Sequence, residues 1–274
     1  MNKIFMPATA PINQYRIIIA ILFVEVLVYL FCNIRIAAFQ QNTFFGFEQD
    51  PLLWLIYFTG LPQFIVGNIF ISYFIDVSIL LLLTALIFKP LKKWLALVLF
   101  IFLFLFYCIF TAHLGHRNYQ SGYLLALLPF LFVREKNKQI VFEFTRYFLL
   151  FFYVSAAYFK IKSGSIFNPD HLSHAVTNQF TPYFLEHSYS VRTSFNLYLI
   201  SHHNFAQSLY FGSVIFEFIV IVGFFTKRYD SYLAIAILIF HCTNWFIMDI
   251  APIGQIAFIC TLFFSQKFCW KHQS

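Results

Sequence analysis

Four ionisable side chains lie inside long apolar stretches of this sequence. They are Glu25, Asp76, Glu217 and His241. A charge near the middle of a bilayer is costly, so such a group usually faces other helices and finds a partner there. Each group is therefore either a hydrogen-bonded tether between helices or part of a functional polar site. Function is favoured more for Glu217 and for His241, which shares a helix face with Asn244 three residues later.

A lysine closes another apolar stretch, in the segment YVSAAYFKIKSG at residues 153–164. The small residues at 155–157 permit close approach of a neighbouring helix. Lys160 follows among aromatic and apolar neighbours. It is either a snorkelling cation at a helix end or a partly desolvated amine that acts as a base, provided that no carboxylate holds its charged form. If chemistry occurs, we predict Lys160 as the catalytic residue.

The histidines suggest a metal site as an alternative chemistry. Such a site would use His171 and His174, spaced i,i+3, together with His113 or His202. No carboxylate or cysteine recurs at ligand spacing, and histidine also suits the wet headgroup region. The five cysteines stand singly, without the pairing of a disulfide framework. We therefore predict no metal site.

The elements that carry these residues are predicted to be membrane-spanning helices. The chain is 61% hydrophobic and 11% charged, against about 25% charged in ordinary soluble domains. Eight apolar stretches approach the roughly 20 residues needed to cross a bilayer. They fall near residues 14–32, 64–88, 94–113, 119–133, 140–160, 206–226, 231–248 and 250–266. The predicted fold is all-α, a polytopic membrane bundle of about eight transmembrane helices plus interfacial helices, in a single domain over residues 1–274.

Basic residues predict the orientation of this bundle. Thirteen of the eighteen Lys and Arg residues fall on one side, and five fall on the other. The positive-inside rule therefore predicts a multi-pass protein of the cell membrane with both termini in the cytoplasm. The net charge of +7 is explained by these residues at the ends of spans. No basic face accompanies it, so we predict no nucleic-acid partner.

Two long connections are predicted at the outer side. The first, residues 33–63, contains an aromatic run at 44–58 that is too short to span and suits a helix lying in the membrane interface. The second, residues 161–205, is the longest polar stretch of the chain. It contains Asn168-Pro169-Asp170 as a turn or helix start, and residues 192–200 as an amphipathic helix.

Three blocks in this order resemble the HTTM (horizontally transferred transmembrane) domain family, which is related to the membrane domain of vitamin K-dependent gamma-carboxylase. They are residues 118–130, residues 153–164, and a set formed by Glu217, His241, Asn244, Ile253, Gly254 and Phe258. The resemblance aligns Lys160 with the family's catalytic base. It implies that Asn118, Glu217, His241 and Asn244 shape the pocket. Tyr119 and Ala157 stand where the family has histidine and glycine.

The resemblance implies a carboxylase-like enzyme, a lyase and oxidoreductase, at the extracytoplasmic face. In that family the lysine deprotonates a reduced isoprenoid quinone, which reacts with oxygen. The resulting basicity passes to a glutamate of a peptide, which captures carbon dioxide. The implied cofactor is a reduced isoprenoid quinone, and the implied partners are the lipid bilayer and a secreted peptide substrate. A second class stays open: a non-catalytic membrane factor for maturation or export of a secreted peptide, as for a small family member in a bacterial sporulation-delaying toxin system.

Overall fold

The computed structural model describes residues 12–32, 34–41, 56–114, 121–131, 138–186, 189–248 and 254–267. Every regular element in these ranges is helical. The α-helices are α1 (Ile12–Phe31), α2 (Leu61–Gly67), α3 (Ile69–Phe88), α4 (Lys93–Leu114), α5 (Ser121–Leu131), α6 (Lys138–Lys162), α7 (His171–Glu186), α8 (Val191–Ser201), α9 (His203–Ile219), α10 (Val222–Phe225), α11 (Asp230–Met248) and α12 (Gln255–Lys267). Two short 3₁₀ helices occupy Ile36–Gln41 and Ser165–Phe167.

Six helical stretches among the described residues are long and apolar enough to cross a membrane. They are Tyr15–Phe39, Ile69–Phe88, Lys93–Phe110, Ile140–Lys162, His203–Phe225 and Asp230–Met248. The coarse prediction, an all-α fold with several helices suited to cross a membrane, is confirmed for the described residues. The count of eight is not confirmed, because α5 has 11 residues and α12 has 13, short of the roughly 20 needed. Both of these predicted spans also include residues outside the described ranges.

The chain divides into two compact units. The first comprises Met1–Thr145 and Pro252–Ser274, and the second comprises Arg146–Ala251. Helix α6 contributes its first residues to the first unit and the remainder to the second. The single domain that we predicted over residues 1–274 stays a prediction.

Two intramembrane carboxylates of the first unit cap the starts of helices. Glu25 accepts hydrogen bonds from the backbone N–H groups of Ile256 and Ala257 at 3.1 and 3.3 Å, in the first turn of α12. Asp76 accepts from the N–H groups of Ile36 and Ala37, both at 3.2 Å, at the start of a 3₁₀ helix. The first N–H groups of a helix lack intrahelical partners, and leaving them unpaired in hydrocarbon is costly. These two residues are the tethers described above.

A buried ion pair holds the second unit together at one end. Arg146 of α6 donates to both carboxylate oxygens of Asp230 of α11, at 2.6 and 2.8 Å. The same guanidinium donates to the carbonyl oxygens of Gly223 and Thr226, between α9 and α11. Both charged side chains are buried, at 1% and 0% exposure. In a bidentate contact of this kind each buried charge neutralises the other, which offsets the cost of removing both from water.

The long connection predicted at 161–205 is folded into helices. The amide N–H of Asp170 donates to Asn168 Oδ1 at 3.0 Å, and α7 begins at His171, which confirms the predicted turn and helix start. Helix α8 matches the helix predicted at 192–200, and it is capped by Ser190, whose Oγ accepts from the N–H of Thr193. The interfacial helix predicted at 44–58 lies mostly outside the described residues.

Candidate functional site

An ion pair between two helices lies at the centre of the candidate site. Lys160, in the last turn of α6, places its Nζ 2.7 and 2.8 Å from the two carboxylate oxygens of Glu217 on α9. The lysine side chain is 29% exposed, whereas the glutamate side chain is 5% exposed. The amine is therefore the accessible member of the pair, and the carboxylate lies behind it. The condition attached to the neutral-base prediction, that no carboxylate engages the amine, is not met in this arrangement.

Aromatic and hydroxyl groups surround the ion pair. The Tyr210 ring, two turns before Glu217 on α9, has its centroid 5.7 Å from Lys160 Nζ, in range for a cation–π contact. The Tyr210 hydroxyl is 2.9 Å from Ser165 Oγ, and Ser165 in turn donates to the Lys160 carbonyl oxygen at 3.0 Å. The His171 ring lies 4.8 Å from the Tyr210 ring. These contacts fix the lysine stem and one side of the amine.

His171 is a neutral neighbour of this cluster at physiological pH. Burial lowers the pKa of its imidazole, and the positive charge of Lys160 lowers that pKa further. Both effects have the same sign, because each opposes adding a second positive charge to the cluster. Lys160 is thus the cation of this group, and His171 contributes a neutral ring.

A second polar pair lies two turns before Lys160 on α6. Tyr153 Oη and His241 Nε2 of α11 are 2.5 Å apart, and the tautomer of the imidazole decides which group donates. Tyr153 precedes Lys160 by seven residues, about 10.5 Å along one helix face, and lies within electrostatic range of Glu217. The two pairs thus belong to one polar strip on α6.

The structure brings together some of the predicted site residues. Glu217 is 4% exposed and pairs with Lys160, which confirms the expectation that its side chain faces the protein interior. His241 is held by Tyr153, whereas Lys160 is held by Glu217. Asn244 is half-buried one turn beyond His241, and Asn118 lies outside the described residues. The catalytic and pocket roles of these residues stay predictions.

Sequence reasoning missed several members of this cluster. Tyr153 and Lys160 are seven residues apart on α6, and Tyr210 and Glu217 are seven apart on α9. A spacing of seven places both members of each pair on one helix face. Each of these two apolar helices therefore carries a pair of polar or aromatic residues on one face. This pattern could have been recognised from the sequence. Ser165, in the 3₁₀ helix after α6, offered no such pattern.

The described ranges contain no group of three or more His, Cys, Asp or Glu side chains that could hold a metal ion. Among the histidines considered for a metal, His171 lies against Tyr210 with the two rings tilted by 47°, and His202 Nδ1 is 2.9 Å from Ser201 Oγ. The side chain of His113 lies outside the described part.

No family model matches this sequence, and comparison with curated proteins and with solved structures finds no significant match. The resemblance to the HTTM family thus stays a prediction. The class that the structure defines is an all-α protein with several helices suited to a membrane and a polar cluster within one helical unit.

Proposed function

We propose that this protein is a membrane enzyme in which Lys160 and Glu217 together remove a proton from a lipid-soluble substrate. The single observation that carries the proposal is the bidentate contact between the two side chains. Both belong to stretches suited to cross a membrane, where ionisable groups are rare and commonly mark substrate or proton pathways. By contrast, the carboxylates of Glu25 and Asp76 accept hydrogen bonds from backbone N–H groups at the starts of helices.

Lys160 and Glu217 share one proton, which can lie on the amine or on the carboxylate. When it lies on the carboxylate, the amine can accept a proton from a substrate. In a medium of low dielectric constant, the neutral arrangement of amine and carboxylic acid competes with the ion pair. When the proton passes to Glu217, Lys160 Nζ gains a lone pair and remains the accessible atom. A substrate O–H bond then breaks as a new N–H bond forms, and the resulting ammonium stabilises the substrate oxyanion.

The residues around the amine fit a substrate that arrives from the bilayer. The Tyr210 ring flanks the amine. Tyr158 and Phe159 precede Lys160 in the sequence and lie on other faces of α6, where they expose two aromatic side chains at the same end of the helix, at 56% and 61%. An aromatic and cationic environment suits a flat, apolar molecule with an acidic hydroxyl. A reduced isoprenoid quinone, which the resemblance implies, would supply such a hydroxyl together with reducing equivalents.

The test is oxygen-dependent consumption of a reduced isoprenoid naphthoquinone by the purified protein in proteoliposomes. We expect the protein to accelerate consumption over empty liposomes. Glu217→Gln should reduce this rate by about 100-fold or more, since it removes the group that takes the lysine proton. Glu143→Gln is the matched control, because Glu143 is a partly buried carboxylate seventeen residues before Lys160 on the same helix. A wild-type rate equal to that of empty liposomes would refute the quinone substrate.

A second candidate function is a non-catalytic factor for a secreted peptide. It is favoured by apolar side chains exposed outside the candidate spans: Tyr189 is 100% exposed, Val191 is 82% exposed and Tyr198 is 45% exposed. Exposed apolar groups in such a position are typical of a partner surface. A photo-crosslinking residue at Tyr189 should then capture a secreted peptide in cells. Peptide maturation should also survive Lys160→Ala, which the enzyme proposal does not allow.

A further inference from the structure

Tyr153 and His241 form a titratable pair that removal of the substrate proton by Lys160 does not use. Tyr153 Oη lies 2.5 Å from His241 Nε2, and Tyr153 is 2% exposed. Within the described ranges, His241 is the hydrogen-bond partner of this buried hydroxyl. Both residues belong to stretches suited to cross a membrane, where titratable side chains commonly form proton relays. We call these two residues the relay pair.

The relay pair is placed next to the proton that Lys160 and Glu217 share. Tyr153 precedes Lys160 by seven residues on one face of α6, and Ala157 lies between them on that face. Ala157 is fully buried and packs in one cluster with Val214 of α9, three residues before Glu217. Tyr153 also lies within electrostatic range of Glu217. Glu217 is therefore the residue through which the two polar pairs interact.

The path from Glu217 ends at His241. His241 is half-buried, so part of this residue reaches the surface of the unit, whereas Tyr153 does not. Towards the start of α11, the next acidic side chain on the same face is Asp230, eleven residues or about 17 Å away. The turns between them present buried apolar side chains, Leu233, Ala234 and Ile237. A proton therefore leaves the relay pair at His241 and does not continue along α11.

We infer that Tyr153 and His241 carry away the proton that each turnover adds to Lys160 and Glu217, an inference that rests on the enzyme proposed above. After the substrate O–H bond breaks, Lys160 is an ammonium and Glu217 is a carboxylic acid. The Glu217 O–H bond then breaks, and its proton passes through one water molecule to Tyr153 Oη. The original Tyr153 O–H bond breaks as an N–H bond forms at His241 Nε2.

The last step releases the proton and restores the starting state. The imidazolium of His241 loses the proton on Nδ1 to water, and the ring becomes neutral again. Lys160 remains an ammonium and Glu217 returns to a carboxylate, so the ion pair is reformed. One proton leaves for each substrate proton accepted, and no oxidant or reductant is needed. Tyr153 and His241 thus act through Glu217 and do not touch the substrate.

The direction of the hydrogen bond between Tyr153 and His241 provides a test that needs no substrate. The relay requires a neutral imidazole with its proton on Nδ1, so that Nε2 accepts from the Tyr153 hydroxyl. We expect ¹⁵N NMR of the histidine-labelled full-length protein to show this tautomer, with a changed Nε2 signal in Tyr153→Phe. Tyr147→Phe, at an exposed tyrosine of the same helix, is the control. A proton on Nε2 that is donated to Tyr153 would overturn the inference.

The kinetic test compares the first turnover with later turnovers in proteoliposomes, after rapid mixing with reduced isoprenoid naphthoquinone and oxygen. In Tyr153→Phe and His241→Gly, the first turnover should keep the wild-type rate. Later turnovers should be about tenfold slower or more, because Glu217 keeps its extra proton. Added imidazole should restore the later turnovers in His241→Gly, which a purely structural role does not predict. Tyr147→Phe should match the wild type throughout.

The outcomes separate failure of the relay from failure of the enzyme proposal. Wild-type later turnovers in both variants, an equally slow first turnover, or no effect of imidazole on His241→Gly would each overturn the relay alone. A wild-type protein no faster than empty liposomes would instead refute the enzyme on which the relay depends. If Tyr153→Phe does not fold, His241→Gly with and without imidazole decides the result.

Discussion

Lys160 and Glu217 are joined by contacts of 2.7 and 2.8 Å across 57 residues of sequence. The contact gives a buried carboxylate a partner and leaves the lysine as the accessible end of the pair. It also changes what the lysine can do. An amine held by a carboxylate is a base only through the proton that the two groups share.

Lys160 variants separate a base from a membrane anchor. Lys160→Arg preserves a cation that pairs with Glu217, but guanidinium stays protonated. We therefore expect normal membrane insertion and a loss of quinone consumption of about 100-fold or more. Lys160→Ala should lose the same activity and should also be less stable, because it leaves the Glu217 carboxylate buried without its cation. Lys162→Arg, at an exposed neighbouring lysine, is the control, and wild-type turnover in Lys160→Arg would reduce Lys160 to an anchor.

Gly223 is a position where the second unit has no room for a side chain. A Cβ atom there would lie 2.6 Å from Leu150 Cδ2 and 3.2 Å from Leu233 Cδ1. Gly223→Ala should therefore destabilise the protein by about 1–3 kcal/mol, the usual cost of overpacking. Gly212, inside α9, has nothing within 4 Å of the corresponding position, so Gly212→Ala should be neutral or stabilising.

Thermal unfolding in one detergent compares the two glycine variants directly. Leu150→Ala should recover part of the stability lost in Gly223→Ala, because it removes the side chain that the new Cβ meets. Equal unfolding temperatures for Gly223→Ala and Gly212→Ala would show that the close packing around Gly223 is absent.

His171 should make stability depend on pH. Its pKa in the folded protein is lowered by burial and by Lys160, relative to about 6.5 for a free imidazole. The unfolded chain therefore binds more protons than the folded chain as the pH falls below about 6.5, and folding stability decreases there. The phenyl ring in His171→Phe cannot take up a proton, so the decrease in folding stability at low pH should be smaller in this variant. His174→Phe, at an exposed position on the same helix, should leave it intact.

Unfolding temperatures between pH 5 and pH 7.5 provide the measurement for His171. As the pH falls, the unfolding temperature of the wild type should decrease more than that of His171→Phe. A constant difference across this range would contradict the assignment of a neutral imidazole beside Lys160.

The predicted orientation is tested with fusions at two positions. A reporter active only in the cytoplasm should work when fused after Ser274 and should fail at Asn178, because the positive-inside rule assigns these positions to opposite sides. Fusions at the cytoplasmic segment predicted around Lys92 serve as the positive control. Reporter activity at Asn178 would rule out this topology.

Sequence alone determined the class of this protein, because composition and local signals act without tertiary contacts. The charged fraction of 11% and the long apolar runs predict membrane helices, and six such helices are described. The turn at Asn168 and the helix α8 were also predicted, since capping side chains and amphipathic spacing operate within a few residues. Sequence did not determine the number of spans, because the helices α5 and α12, at two of the eight predicted positions, have only 11 and 13 residues.

Tertiary structure decided which buried charges are tethers and which form a site. Glu25 pairs with backbone groups 231 and 232 residues away, and Glu217 pairs with a lysine 57 residues away. Sequence spacing places a residue on a helix face, but it does not fix the rotation of that helix or the identity of its neighbour. A carboxylate therefore caps a helix at Glu25 and pairs with a lysine at Glu217, and the packing of the helices determines this difference.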